Sequence, residues 1–194
     1  VSSMVTMIDD VFLKLEESLK EKESIAKYNE EIVAAEDKLD LYEKEIYDSN
    51  FSLLSKSLSK ELIEDTRMNL LACDEYETIG DYQNRIANRL FMLYENSIEL
   101  DEVRAKMAFK LHSLSVELFN DISRAVRTNE KELYPIGMKK YQALKAYYKE
   151  VKREHFSRAE NIPARLNTGY LDIINYYKRI ADHTYNIIEY VMKI

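Results

Sequence analysis

Two pairs of carboxylates are the side chains whose type and spacing suggest chemistry. Glu36 and Asp40 stand four residues apart, and so do Glu77 and Asp81. On a helix that spacing puts both members of a pair on one side. Two such pairs on adjacent helices would offer several oxygens to a hard cation. Carboxylate-bridged sites in helix bundles also use a histidine motif, which is absent from this sequence. On the wheel of their helix, Glu77 and Asp81 point away from the apolar stripe, while Glu36 and Asp40 flank theirs. Solvated carboxylates are therefore the plainer reading. Asp182 is a fifth candidate ligand, with His183 beside it and Asn186 four residues on. Lys178, four residues before Asp182, supplies a cation where a metal wants oxygen. No complete second cluster is expected.

Other chemistry finds less support. The sequence has no glycine-rich phosphate loop, no H-E-x-x-H and no nucleophile elbow. With only three glycines in 194 residues, a dinucleotide site is excluded. Cys73 is the single cysteine, and the acids that follow it hold a thiol pKa up, against a reactive thiolate. His112 and His155 have no ordered ligand spacing. The expectation is a protein that is not an enzyme. The net charge of -7 is unevenly spread: residues 1–100 carry 23 acidic and 11 basic side chains, residues 101–194 carry 12 and 17. Nucleic-acid affinity rests on phosphate contacts, so an acidic first half argues against that partner. The asymmetry suits head-to-tail contacts or cation attraction, and two differently solvated surfaces are the bland account. Arg85, Arg89, Arg124, Arg127, Arg158 and Arg165 form no cluster that reads as an anion site.

Long helices must position these residues. Three glycines and two prolines are too few for a fold with many tight turns. Apolar residues recur at three and four along six stretches. The first spans 4–26, with Met4, Ile8, Phe12, Leu15 and Leu19. The second spans 29–54, capped by Asn29, with Ile32, Ala35, Leu39, Tyr42 and Ile46. A serine-rich break at 55–59 offers Ser57 or Ser59 as the next cap. The third spans 60–96, with Met68, Ala72, Tyr76, Ile79, Gln83, Ile86, Leu90 and Tyr94. The fourth runs to 128, with Val103, Met107, Leu111, Leu114, Leu118, Ile122 and Val126. After a turn from Asn129 to Pro135, the fifth spans 133–157, with Tyr141, Leu144, Tyr147, Tyr148 and Val151. Asn161-Ile-Pro163 precedes the sixth, 164–193, with Ile173, Tyr177, Ile180, Thr184, Ile187 and Val191. No stretch approaches the length of a membrane span.

The halves repeat. Glu77-Thr-Ile-Gly-Asp81 aligns with Lys178-Arg-Ile-Ala-Asp182, placing Ile79 on Ile180, Asp81 on Asp182 and Ile86 on Ile187. Tyr42-Glu-Lys-Glu-Ile46 resembles Tyr147-Tyr-Lys-Glu-Val151, and Phe51 falls on Phe156. That alignment sets Tyr141 and Lys145 against Glu36 and Asp40. Gly80 and Ala181 are both small, which favours close helix contact at that level. The expected fold is all-α: two tandem three-helix antiparallel bundle repeats of six long helices, the first over 1–97 and the second over 98–194.

The two aligned tracts, and the acidic Glu36-Asp-Lys-Leu-Asp40 helix before them, resemble the motifs of the PhoU family over roughly residues 5–193. They look most like the cytoplasmic domain of bacterial sodium/phosphate cotransporters. The resemblance implies a non-enzymatic regulatory or interaction domain of such a transporter, on the cytoplasmic side as the soluble part of an inner-membrane protein. The start at Val1 rather than Met suits a fragment. The implied partner is a membrane transporter domain in the same polypeptide or a phosphate-transport partner, with a homodimer also open to it. The alternative is a free-standing PhoU-like regulator of phosphate uptake. Relatives also imply a divalent or ferric ion held by surface E-x-x-x-D pairs, here Glu36, Asp40, Glu77 and Asp81.

Overall fold

Apolar stripes at helical spacing leave each helix one face to bury, and short connections fold successive helices back on one another. The structure is a computed structural model that describes residues 1–54, 59–128, 130, 132–158 and 162–192. Among the described residues six helices follow in order: α1 (Ser2–Lys20), α2 (Ser24–Leu54), α3 (Lys60–Glu95), α4 (Glu102–Thr128), α5 (Leu133–Ser157) and α6 (Ala164–Met192). The fold is all-α, the tandem three-helix bundles expected. Ser57, Asn129 and Asn161 lie outside the described residues, as does the Val191 side chain.

Helices α1, α2 and α3 pack on one another, as do α4, α5 and α6. The trios meet where α3 lies along α6 and α1 meets α4, so α2 and α5 each touch only their own trio among the described residues. The α3–α6 pair runs antiparallel: Glu75 reaches Asn186, Arg89 reaches Asp172, and Asn96 reaches Arg165. The aligned positions of the two repeats share one environment. Ile79 and Ile180, Ile86 and Ile187, Tyr76 and Tyr177, and Gln83 and Thr184 are all buried. A Cβ on Gly80 would come within 2.2 Å of Leu39 Cδ1, so the small residue there is what lets α2 approach α3.

Some boundaries and faces differ from expectation. α1 ends at Lys20, not 26, where Glu21 turns extended, and α2 begins at Ser24. Asn29 therefore lies inside α2 and caps nothing. The break falls among charged residues because Ile25 must re-enter the core at once; it is 1% exposed. Ser59 does cap α3, accepting from the Leu62 N–H at 3.3 Å. On α4 the buried face is rotated. Val103, Met107 and Val126 are half-buried, while Arg104, Ala108, His112 and Ser115 go inside. α4 touches α1, α5 and α6, so it buries more than one stripe.

Candidate functional site

Packing of α2 on α3 through Leu39 and Gly80 gathers carboxylates from both helices. Glu36, Asp40 and Glu43 of α2 come into electrostatic range of Asp74, Glu77 and Asp81 of α3. Glu77 is half-buried there rather than pointing clear of the core. Burial, with the charges of Glu43, Asp40 and Asp81, pushes its carboxyl up to about 7. Burial and like charges also raise Glu36 and Glu43. Asp81 is held by Arg85, with Nη2 at 2.8 Å from Oδ2. Asp74 accepts from the Tyr47 hydroxyl at 2.8 Å, which helps push that phenol up to about 12. Four predicted residues are thus brought into one acidic surface. Glu43 was not singled out from the sequence. Its place three residues after Asp40, one turn further along the same side, is the signal that would have found it.

The donors are of the type a hard cation prefers, but they are not placed for one. Among the described residues no group of three or more His, Cys, Asp or Glu is arranged to hold a metal ion. Asp182 is engaged elsewhere. Its Oδ1 accepts from the Tyr141 hydroxyl at 3.0 Å, and its Oδ2 pairs with Lys178 at 2.5 Å. Tyr141, the counterpart of Glu36, stacks on Tyr185 with ring centroids 4.3 Å apart. Tyr141 and Asp182, aligned with Glu36 and Asp81, thus also meet, and a neutralised carboxylate stands where the first trio has mutual repulsion.

The α3–α6 seam carries a second polar constellation. Glu75, 7% exposed, accepts from Asn186 at 3.1 Å and from the Tyr190 hydroxyl at 2.8 Å, and its Oε2 lies 2.7 Å from His183 Nδ1. Tyr82 stacks on the His183 ring at 5.5 Å. These contacts use His183 structurally. Arg89 meets Asp172 at 2.9 Å further along.

Two histidines sit in the interior. His112 is 1% exposed, with Nδ1 at 3.1 Å from the Tyr177 hydroxyl, and burial pushes it down to about 4. His155 accepts at Nδ1 from Arg104 Nε at 3.1 Å and faces Asn167 Oδ1 through Nε2 at 2.7 Å. Burial first, and the Arg104 charge among lesser causes, lower its pKa. The buried guanidinium of Arg104 also donates to the Arg158 carbonyl at 3.1 Å and pairs with Asp101. Glu75 and Arg104 escaped the sequence reading because charged residues on the shoulder of a stripe look solvated until a second trio covers them. Cys73 is buried, with its thiol raised to about 11 by burial first and Glu43 second. The arginines considered for an anion site are mostly paired: Arg85 with Asp81, Arg89 with Asp172, Arg124 with Asp121 and Arg158 with Glu154, while Arg165 donates to Asn96.

Comparison with known proteins adds the following. The PhoU domain family matches residues 1–90 and 109–191. By structure the chain is similar to the phosphate transport system regulatory protein PhoU from Streptococcus pneumoniae, with TM-score 0.84 and 20% identity, covering 98% of this chain and 88% of that one. It is also similar to PhoU from Pseudomonas aeruginosa, with TM-score 0.86 and 17% identity, covering 98% and 90%. No curated protein sequence matches it. These findings overturn the expected cotransporter tail: the structures matched from end to end are PhoU proteins, and this chain covers nearly all of each. The membrane-protein-fragment reading falls with it. Among the described residues no helix is long and apolar enough to cross a membrane.

Proposed function

This chain belongs to the PhoU domain family, whose members are non-catalytic regulators, and we propose that it is a free-standing regulator of phosphate uptake acting through protein contacts. The observation that carries this reading is the family match in both halves, joined to a fold shared over 98% of the chain with a phosphate transport system regulatory protein. The partner is a component of a phosphate-transport system, and the location is cytoplasmic, which the unpaired Cys73 suits. Deleting the gene tests the reading by radiolabelled phosphate uptake in cells grown with scarce and abundant phosphate. The expected result is loss of the difference between the two conditions. An unchanged difference overturns it.

A second reading is favoured by the crowding of Glu36, Asp40, Glu43, Asp74, Glu77 and Asp81. Burial first, and then the neighbouring carboxylates, raise Glu77 to about 7, and a divalent or ferric ion would relieve the repulsive part. The side chains would have to change rotamer to coordinate it, since they form no ligand set as placed. Elemental analysis after reconstitution, with Asp81→Ala as control, decides it. Stoichiometric metal lost in the variant supports the reading, and no retained metal removes it.

A further inference from the structure

We infer that the cleft between the start of α1 and the end of α4 binds a small zwitterion, an amino acid, with its ammonium on Asp9 and its carboxylate on Arg127. α1 and α4 run antiparallel, with Phe12 against Phe119 and Lys20 over Phe109. Their ends part over Tyr76 of α3 and leave a cleft of about 380 Å³. That volume suits a small molecule. Tyr76 is 1% exposed and is held in place by Phe119, whose ring meets it edge-on at 5.9 Å. Ser123 of α4, 8% exposed, also lines the cleft. Its hydroxyl has no hydrogen-bond partner, and the Tyr76 hydroxyl faces it outside bonding geometry. Leaving a buried hydroxyl unpaired is unfavourable, and a ligand that bonds to it recovers the loss.

Two opposite charges share the cleft with that hydroxyl. Asp9 of α1 is half-buried and enters no ion pair among the described residues. Burial raises its carboxyl, and the Arg127 charge offsets this only in part. Arg127, exposed at the end of α4, likewise enters no ion pair among the described residues, so the two charges sense each other without meeting. Arg124 is already engaged by Asp121 at 3.7 Å. A lone anion in the cleft would lie near the Asp9 carboxylate, and a lone cation near the Arg127 guanidinium. A molecule carrying both charges answers both groups, and each bond it makes is charge-assisted. The Ser123 hydroxyl then donates to the ligand carboxylate. Val5 and Val126 also line the cleft, which suits a short apolar side chain on the ligand. The inference is independent of the regulatory reading above.

Titration calorimetry on the whole chain tests it, with L-alanine and L-valine as probes and with acetate and ethylammonium, which carry one charge each. At least one of the two amino acids is expected to bind saturably, with Kd of about 1 mM or below. Acetate and ethylammonium should bind at least about tenfold more weakly, since each forgoes a charge-assisted bond. Asp9→Asn and Arg127→Gln should each weaken amino-acid binding at least about tenfold for the same reason. Ser123→Ala should weaken it at least about threefold without lowering Tm, because the hydroxyl bonds to nothing in the free protein. Circular dichroism confirms that the three variants remain helical. No saturable heat from either amino acid up to about 20 mM overturns the proposal. Acetate or inorganic phosphate binding as tightly as the amino acids also overturns it, by making the cleft a plain anion site. Binding that survives any of the three substitutions unchanged overturns it equally.

Discussion

Glu77 shows how a neighbourhood sets the properties of one side chain. Its folded pKa of about 7 stands above the ordinary value of 4.5, so folding takes up a proton between those limits. The folded state is favoured below pH 4.5 and loses that advantage as pH rises through 7. Half-exposed, the group feels screened charges, and the loss is discounted to about 1–2 kcal/mol. Urea unfolding at pH 4 and pH 8 should show Glu77→Gln gaining about that much on wild type at the higher pH only; an equal gain at both would contradict it. Glu75 serves the α3–α6 seam instead. Its carboxylate is the common acceptor for Asn186, Tyr190 and His183, so Glu75→Ala should destabilise by about 2–4 kcal/mol in the same assay. A change under about 0.5 kcal/mol would deny the seam its anchor. Spacing of four identified Glu36, Asp40, Glu77 and Asp81 in the sequence. It could not reveal that α2 crowds Glu77, because depth depends on the neighbouring helix.

Elements end where backbone groups find partners. α3 closes with the Ser97 N–H on the Tyr94 carbonyl and the Ile98 N–H on the Leu93 carbonyl, both at 2.9 Å, and Ser97 at φ 55°. That pattern is a Schellman motif, whose left-handed position favours glycine. Ser97→Gly should stabilise by about 0.5–1 kcal/mol, less whatever the more flexible unfolded chain takes back. Thermal unfolding reads this as a rise of about 1–4 °C, and a fall would contradict the assignment. The six helices were legible because their stripes are long and regular. Their joints were less so. The 21–23 turn has no glycine or proline and is imposed by the return of Ile25 to the core. The α4 face was misread because its inner side is lined by Ala108, His112 and Ser115, which an apolar count overlooks. The Gly80–Ala181 correspondence, by contrast, announced close packing from sequence alone, and Leu39 fills the space beside Gly80.

At the scale of the molecule, the trios are not independent bodies. Tyr82 of α3 packs on Tyr176 and His183 of α6, Glu75 of α3 meets Asn186 and Tyr190 of α6, and Tyr76 of α3 packs on Phe119 of α4, all across the contact that joins the halves. Calorimetry should therefore show one cooperative transition for the whole chain, and residues 1–97 expressed alone should lack one. Two separate transitions, or a cooperatively folded half, would refute this. The repeat and the uneven charge were both visible in the sequence. That the acidic and basic excesses sit on opposite outer helices, α2 and α5, required the topology. Cys73 offers a view of this cohesion from inside. It is 0% exposed, with its sulfur 3.6 Å from that of Met4 on α1. As the chain's only thiol, it can meet a water-borne disulfide reagent only when the helices packed around it open, α1 with Met4 among them. The colour released by such a reagent would then follow those openings, a built-in clock for the loosening of the first trio that needs no attached label.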